Sequence, residues 1–240
     1  MRKDRRPYWM KKLNGNIQDK YFKHFIKPEF DKIGKGCYAI KPWHIEIFGA
    51  PVKGGNFINF IAAPDKKIRL TVWPESFNTN GIEIGDYALL CPGVRISAAT
   101  EIKIGKNCML ASGVYITDAD WHEIYDRNKS IGKTKPVIIS DNVWLGDSSI
   151  VCKGVTIGEN VIIGAGSVVV SDIPENVIAA GNPAKIIREL DPEKEIRTRG
   201  DWMSKPRKLI QGFDILEKDL LKGNTTLGWL KSILFPSDKD

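Results

Sequence analysis

A histidine stands among carboxylates near the middle of the chain: Asp118, Asp120, His122 and Glu123, with Trp121, Tyr125 and Arg127 interleaved. An imidazole titrates near neutrality, so it can take a proton from a hydroxyl as that oxygen becomes a nucleophile. A neighbouring carboxylate can orient the ring and stabilise the imidazolium; Asp118 and Asp120 are the candidates, with Glu123 nearby. Trp121, Tyr125 and Arg127 offer a stacking surface and a cation, although the same residues would serve to pin a loop. His24 and His44 have no such company and read as structural or solvated. Three histidines so dispersed do not make a three-histidine metal centre, and no metal is expected. The four cysteines (Cys37, Cys91, Cys108, Cys152) contain no CxxC pair. That argues against a disulfide scaffold or a cysteine-rich zinc site and fits a reducing cytoplasm.

What must position these residues is a repeat. An aliphatic residue recurs every six positions at Ile139, Leu145, Val151, Ile157, Ile163 and Val169, often followed by glycine (Gly146, Gly158, Gly164). Four residues after each stands a small or β-branched residue, as at Val143, Ser149, Val155, Val161 and Ser167. The same register runs through Ile84, Leu90 and Ile96, slips by two residues, and resumes at Ile104, Leu110 and Ile116. A period of six fits neither a helix of 3.6 residues per turn nor simple strand alternation. It fits a solenoid with three flat faces per coil, the aliphatic residue pointing to the axis and the small one beside it near the corner. Stacked coils then bury one continuous core that no single coil could bury. Between Ile116 and Ile139 the count breaks. The insert 117–136, which carries His122, has no place in a regular coil and must project from it, as functional loops commonly do.

Composition is that of an ordinary soluble chain: 240 residues, 42% hydrophobic, 27% charged, mean hydropathy −0.23. No apolar run is long enough to span a bilayer, and no apolar stretch of a secretory signal follows the charged N-terminus. The net charge of +7 is concentrated. Residues 1–41 hold twelve Lys/Arg against four Asp/Glu, which leaves the remainder near neutral. This basic segment reads as a solvated surface, a neutraliser of an anionic substrate, or a contact with an acidic membrane face; nucleic-acid binding has no motif behind it.

Specific motifs accompany the repeat: Asp141-Asn142-Val143-Trp144-Leu145-Gly146, Gly154-Val155-Thr156-Ile157-Gly158-Glu159-Asn160, Gly164-Ala165-Gly166-Ser167-Val168-Val169, Asp172-Ile173-Pro174, and Gly181-Asn182-Pro183-Ala184-Lys185-Ile186-Ile187-Arg188. On these, residues 82–188 resemble the hexapeptide-repeat acyltransferases, in the branch of the maltose, galactoside and nodulation-factor O-acetyltransferases. The resemblance implies a mainly β fold, a left-handed parallel β-helix with a projecting catalytic loop. It implies an acyl-CoA-dependent O-acyltransferase that moves acetyl from acetyl-CoA directly to a saccharide or related hydroxyl. His122 lies 22 residues before Trp144, the position of the family's general base. The same resemblance places coenzyme A along Trp144, Gly146, Asp147 and Ala165, with Lys185 and Arg188 near its phosphates and a backbone N–H near Asp147 for the oxyanion. It implies a homotrimer with sites between subunits. Two departures stand out. Val170-Ser171 replaces a frequent Thr-Lys, and Cys91–Ser97 lacks the acceptor-holding Asn, for which Arg95 or Ser97 would substitute. The nearest alternatives are N-acetylation of an amino sugar or xenobiotic, and a non-catalytic β-helix scaffold.

Three segments are expected: a basic, partly helical extension over 1–43, the β-helix over 44–188, and a helical extension over 189–240. Asp191-Pro192-Glu193 reads as a helix start, and Phe213–Leu221 and Thr226–Phe235 as short amphipathic helices. A C-terminal helix is expected over the open end of the solenoid, unless it meets a membrane.

Overall fold

The six-residue count becomes three flat faces. The computed structural model describes residues 3–74, 79–204 and 206–235, so Met1 and Arg2 of the basic run lie outside the described residues. The first sheet stacks β1 (Lys32–Ile33), β4 (Val52–Gly54), β7 (Gly81–Ile84), β10 (Glu101–Ile104), β13 (Val137–Ile139) and β16 (Thr156–Ile157). The second stacks β2 (Tyr38–Ile40), β5 (Asn59–Ile61), β8 (Leu89–Leu90), β11 (Met109–Leu110), β14 (Trp144–Leu145) and β17 (Ile162–Ile163). It ends in β19 (Val177–Gly181) and β20 (Ala184–Glu189). The third stacks β3 (Ile45–Phe48), β6 (Ile68–Val72), β9 (Arg95–Ala98), β12 (Tyr115–Thr117), β15 (Ile150–Val151) and β18 (Val168–Val169). Every pairing is parallel except β19–β20.

Each aliphatic residue of the repeat sits directly above its counterpart one coil earlier. Phe60, Leu90, Leu110, Leu145, Ile163 and Ala179 form one such inward column, and all are fully or almost fully buried. Leu70, Ile96, Ile116, Val151 and Val169 form another. Corners are as repetitive as faces. Asn107, Asn142, Asn160 and Asn176 all adopt the left-handed conformation, which asparagine tolerates. Asn142 donates to Asn160 (2.9 Å) and Asn160 to Asn176 (2.8 Å). At Gly146 the coils approach so closely that a Cβ would meet the Ala165 nitrogen at 2.6 Å.

The two ends of the solenoid are closed differently, and not as the sequence suggested. α1 (Tyr8–Tyr21) runs into a π turn, Phe22–Ile26. Phe22 and Phe30 lie over Phe60, with ring centroids 5.8 and 6.0 Å apart, so this end is plugged by the N-terminal segment that follows α1 and not by a C-terminal helix. The other end is finished by the antiparallel β19–β20 hairpin. β1 and β2 also place residues before 44 in the sheet ladders, with Ile33 and Ala39, six residues apart, at inward positions. No helix forms at Asp191. Its carboxylate accepts from the Glu193 N–H and its carbonyl from the Lys194 N–H, and these make a turn instead. The chain then returns along the stack. α2 (Arg199–Met203), capped by Thr198 and Asp201, clamps the second sheet: Arg199 donates to the Tyr87 carbonyl and to Asn59 Oδ1. α3 (Pro206–Leu220) meets α1 through Tyr8–Asp214 and Lys11–Glu217. α4 (Thr226–Leu234) follows.

Candidate functional site

The insert begins as β12 leaves the third sheet, and its base is a short antiparallel ribbon. Asp120 N–H donates to the Lys133 carbonyl, Gly132 N–H to that of Asp120, and Lys135 N–H to that of Asp118. Gly132 permits this approach, since a Cβ there would meet the His122 carbonyl oxygen at 2.5 Å. The ribbon is fastened to the coil by a carboxylate. Asp118 is completely buried. It accepts from the backbone N–H groups of Ala99, Thr100 and Glu101, each at 2.7 Å, and from the Thr100 hydroxyl at 3.0 Å.

Those bonds occupy Asp118, so it is an anchor of the loop and not the partner of His122. Asp120 is also engaged elsewhere, at 2.6 Å from Lys153 Nζ. Glu123 accepts from Asp126 and Tyr125 N–H groups, which hold it below the usual carboxylate range. The expected carboxylate–histidine pair is therefore absent among the described residues. The His122 side chain is exposed and makes no hydrogen bond or ion pair there. Sequence proximity misled because consecutive loop residues point in different directions, and the backbone donors of the preceding coil outcompete a single imidazole for Asp118.

His122 stands on the rim of a recess of about 470 Å³, with Trp73, Pro74, Ser97, Trp121, Ser130 and Ile131. Trp121 is fixed by its Nε1–H, which reaches Thr117 Oγ1 (3.1 Å) and Tyr115 Oη (3.2 Å). Ser97 is buried on β9 with its hydroxyl 3.2 Å from that of Thr71. Three of the expected residues, Ser97, Trp121 and His122, are thus brought together. Arg95, two positions before Ser97, stacks on Tyr115 with its guanidinium 3.7 Å from the ring centroid, beside the recess but outside it. Tyr125 is 94% exposed and Arg127 is exposed; neither lines the recess. Trp73, Ser130 and Ile131 were not anticipated, because they come from an irregular early strand end and from the far limb of the insert.

The residues expected to hold coenzyme A form a separate row. Trp144 is in register with Ile162, Ile162 with Ile178, and Ile178 with Arg188, which spans about 14 Å at ordinary strand spacing. Lys185 pairs with Ala180 on the same hairpin. Residues three apart in a strand face opposite sides. Here the register shift skips Ile187, and both cations join the outward row. Neither makes an ion pair among the described residues. At the adjoining corner the Asp147 carbonyl accepts from Gly166 N–H (2.7 Å), and Ala165 is exposed. An exposed indole, a corner of small residues and two cations without an ion pair among the described residues suit a long ligand ending in phosphates. This row belongs to the second sheet, whereas the recess opens at the third sheet and its loop. One chain does not bring them together.

Two family models match within the coils: "Bacterial transferase hexapeptide (six repeats)" over 136–171, and "Hexapeptide repeat of succinyl-transferase" over 102–118. The galactoside O-acetyltransferase of Escherichia coli (strain K12) is 40% identical over 92 residues, 38% of this chain and 45% of the relative. WbbJ of the same strain has a name that assigns it provisionally to O-acetyl transfer in lipopolysaccharide biosynthesis. It is 30% identical over 176 residues, 68% of this chain and 84% of that protein. The chain belongs to the hexapeptide-repeat acyltransferase family. Its solenoid is the left-handed parallel β-helix of that family. The fold is shared with AntD, an N-acyltransferase from Bacillus cereus solved with dTDP-4-amino-4,6-dideoxyglucose and coenzyme A (TM-score 0.58, 19% identity, 79% of this chain and 95% of that one). Against three curated relatives of this family, including the galactoside enzyme, the chain spans 61%, 45% and 45% of their length.

Proposed function

We propose that the protein transfers an acyl group, most simply acetyl, from acetyl-CoA to a hydroxyl of a saccharide or related acceptor. The observation that carries this reading is His122, presented without a partner on the rim of the recess formed by Trp73, Ser97 and Trp121. An acceptor ring lies between the indoles with its hydroxyl at the imidazole. His122 takes the hydroxyl proton as the oxygen attacks the thioester carbonyl. The C–O bond forms, the C–S bond breaks, and the imidazolium returns its proton to the departing thiolate. A backbone N–H near Asp147 receives the developing oxyanion. Coenzyme A fits the outward row: Trp144 against the pantetheine arm, Ala165 and Gly146 allowing close approach, Lys185 and Arg188 toward the phosphates. Because row and recess lie on different faces, a neighbouring copy completes each site. Closed cyclic symmetry is the usual solution, and a homotrimer supplies three such sites.

The test is thiol release from acetyl-CoA by wild type and His122→Ala, against sugars, nucleotide sugars and amines. Acceptor-dependent release that disappears in the variant supports the reading, and an amine as the sole working acceptor moves it to N-acylation. Absence of both turnover and calorimetric coenzyme A binding leaves a scaffold.

A further inference from the structure

One surface takes no part in the chemistry above and inverts the usual pattern of a surface helix. Along α1 and its π turn, Trp9, Leu13, Ile17, Tyr21 and Phe25 recur every four residues. A helix of a soluble domain turns such a row inward. This one turns most of it out, with Trp9 53%, Leu13 49%, Ile17 50% and Phe25 54% exposed, Tyr21 half-buried against the core, and no fully buried residue on α1. The polar side faces the protein instead: Gln18 accepts from the Lys41 N–H, and Lys11 pairs with Glu217. Tyr21 joins the row to Trp43, their ring centroids 5.8 Å apart, and Trp43 and Ile40 are each 40% exposed. The strip is roughly 24 Å long, well beyond a scattered surface leucine.

Charge accompanies it. Lys12, Lys20, Lys27 and Lys41 flank the strip, exposed and without an ion pair among the described residues. The twelve basic residues of 1–41 oppose four acidic ones, whereas residues 42–198 hold sixteen against nineteen.

We propose that this strip docks the protein on an anionic lipid bilayer. α1 lies in the headgroup plane, Trp9, Leu13 and Ile17 enter the acyl boundary, and the lysines meet lipid phosphates. An interfacial indole with lysines beside the apolar row suits that boundary. A second α1 packed on the same strip would set lysine against lysine. A single helix face binds a membrane weakly by burial alone, so the charge is required and binding falls with salt. This inference is independent of the acyl-transfer reading.

The test is flotation of the full chain with vesicles of phosphatidylcholine, alone or with about one-third phosphatidylglycerol. Flotation is expected with the anionic vesicles only and should weaken as salt rises. Trp9→Ser/Leu13→Ser/Ile17→Ser and, separately, Lys12→Glu/Lys20→Glu should each lower it by roughly tenfold or more, with circular dichroism and solution mass unchanged. Failure of wild type to float, flotation of either variant equal to that of wild type, or a changed solution mass in the triple variant, which would place a second copy on the strip, overturns the proposal.

Discussion

The coil stack and the insert meet at Thr117 and are held by different physics. In the stack, each inward side chain rests on an equivalent side chain one coil away, and burial is nearly complete along whole columns. In the insert, little apolar surface is buried. Its shape rests on a ribbon of backbone bonds, one glycine and the Asp118 carboxylate. Redundancy makes the stack rigid, and the lack of it leaves the insert able to present His122 unpaired. A solenoid tolerates a long excursion because the coil on either side closes without it: β12 pairs with β15 and β10 with β13 across the insertion.

The sharpest break in this comparison is between activity and stability. His122→Ala should reduce acceptor-dependent acetyl transfer by about 10²- to 10⁴-fold, the usual worth of a general base. Its urea midpoint should hardly move, because the ring makes no bond. Leu110→Ala should do the reverse. It removes a fully buried link of an inward column and should cost about 2–5 kcal/mol in urea unfolding. A His122 variant that unfolds early, or a Leu110 variant of native stability, would erase the contrast.

Asp118→Asn lies between the two. It keeps the shape but gives up the charge that four donors share, and about 2–3 kcal/mol of stability should be lost. The acceptor KM should rise with it as the ribbon loosens. Lys153→Ala should cost less than about 1 kcal/mol, because the pair with Asp120 is part-exposed and screened. If that variant proved the more damaging, the anchoring role would belong to the lysine.

The cysteines give the finest test. Burial pushes the Cys108 thiol, a small corner position of the stack, up to about 12 from its ordinary 9.0. The unfolded chain therefore loses this proton first as pH rises. Stability should fall by about 1.4 kcal/mol per pH unit between pH 9 and 12 on this account, and the wild-type-minus-Cys108→Ala difference isolates it. Cys152, beside Asp120 and Lys153 under the insert, is raised by burial too but is less enclosed. At pH 8 a thiol reagent should label Cys152 well before Cys108.

Much of the stack was legible because its rule is local. Ile139, Leu145, Val151 and their successors each announce a face, and a phase error would have put every one of them on the wrong side. The first coils were harder to read because the column positions there, Ala39, Ile47, Gly54, Phe60 and Leu70, follow one another at uneven intervals, and the plug Phe22–Phe30 depends on a ring, Phe60, that lies thirty or more residues away. In the insert, His122, Trp121 and Ser97 were legible as candidates by residue type. Their neighbours Trp73 and Ile131 were not, since only the close approach of separate limbs makes them neighbours.

The sequence by itself determined the prism: period six fixes which side chains share the axis, because each coil repeats the same steric problem. It also determined that 117–136 must leave the stack and carry His122 with it. Only the tertiary structure decided which atoms that loop would use. Asp118 went to three backbone N–H groups of the preceding coil and not to the imidazole, because a buried carboxylate requires several donors at once. Likewise a one-residue register shift at Ile187, invisible in spacing, put Lys185 and Arg188 on one row. The outward turn of the α1 strip was decided the same way, by Gln18 and Lys11 finding partners on the inner side.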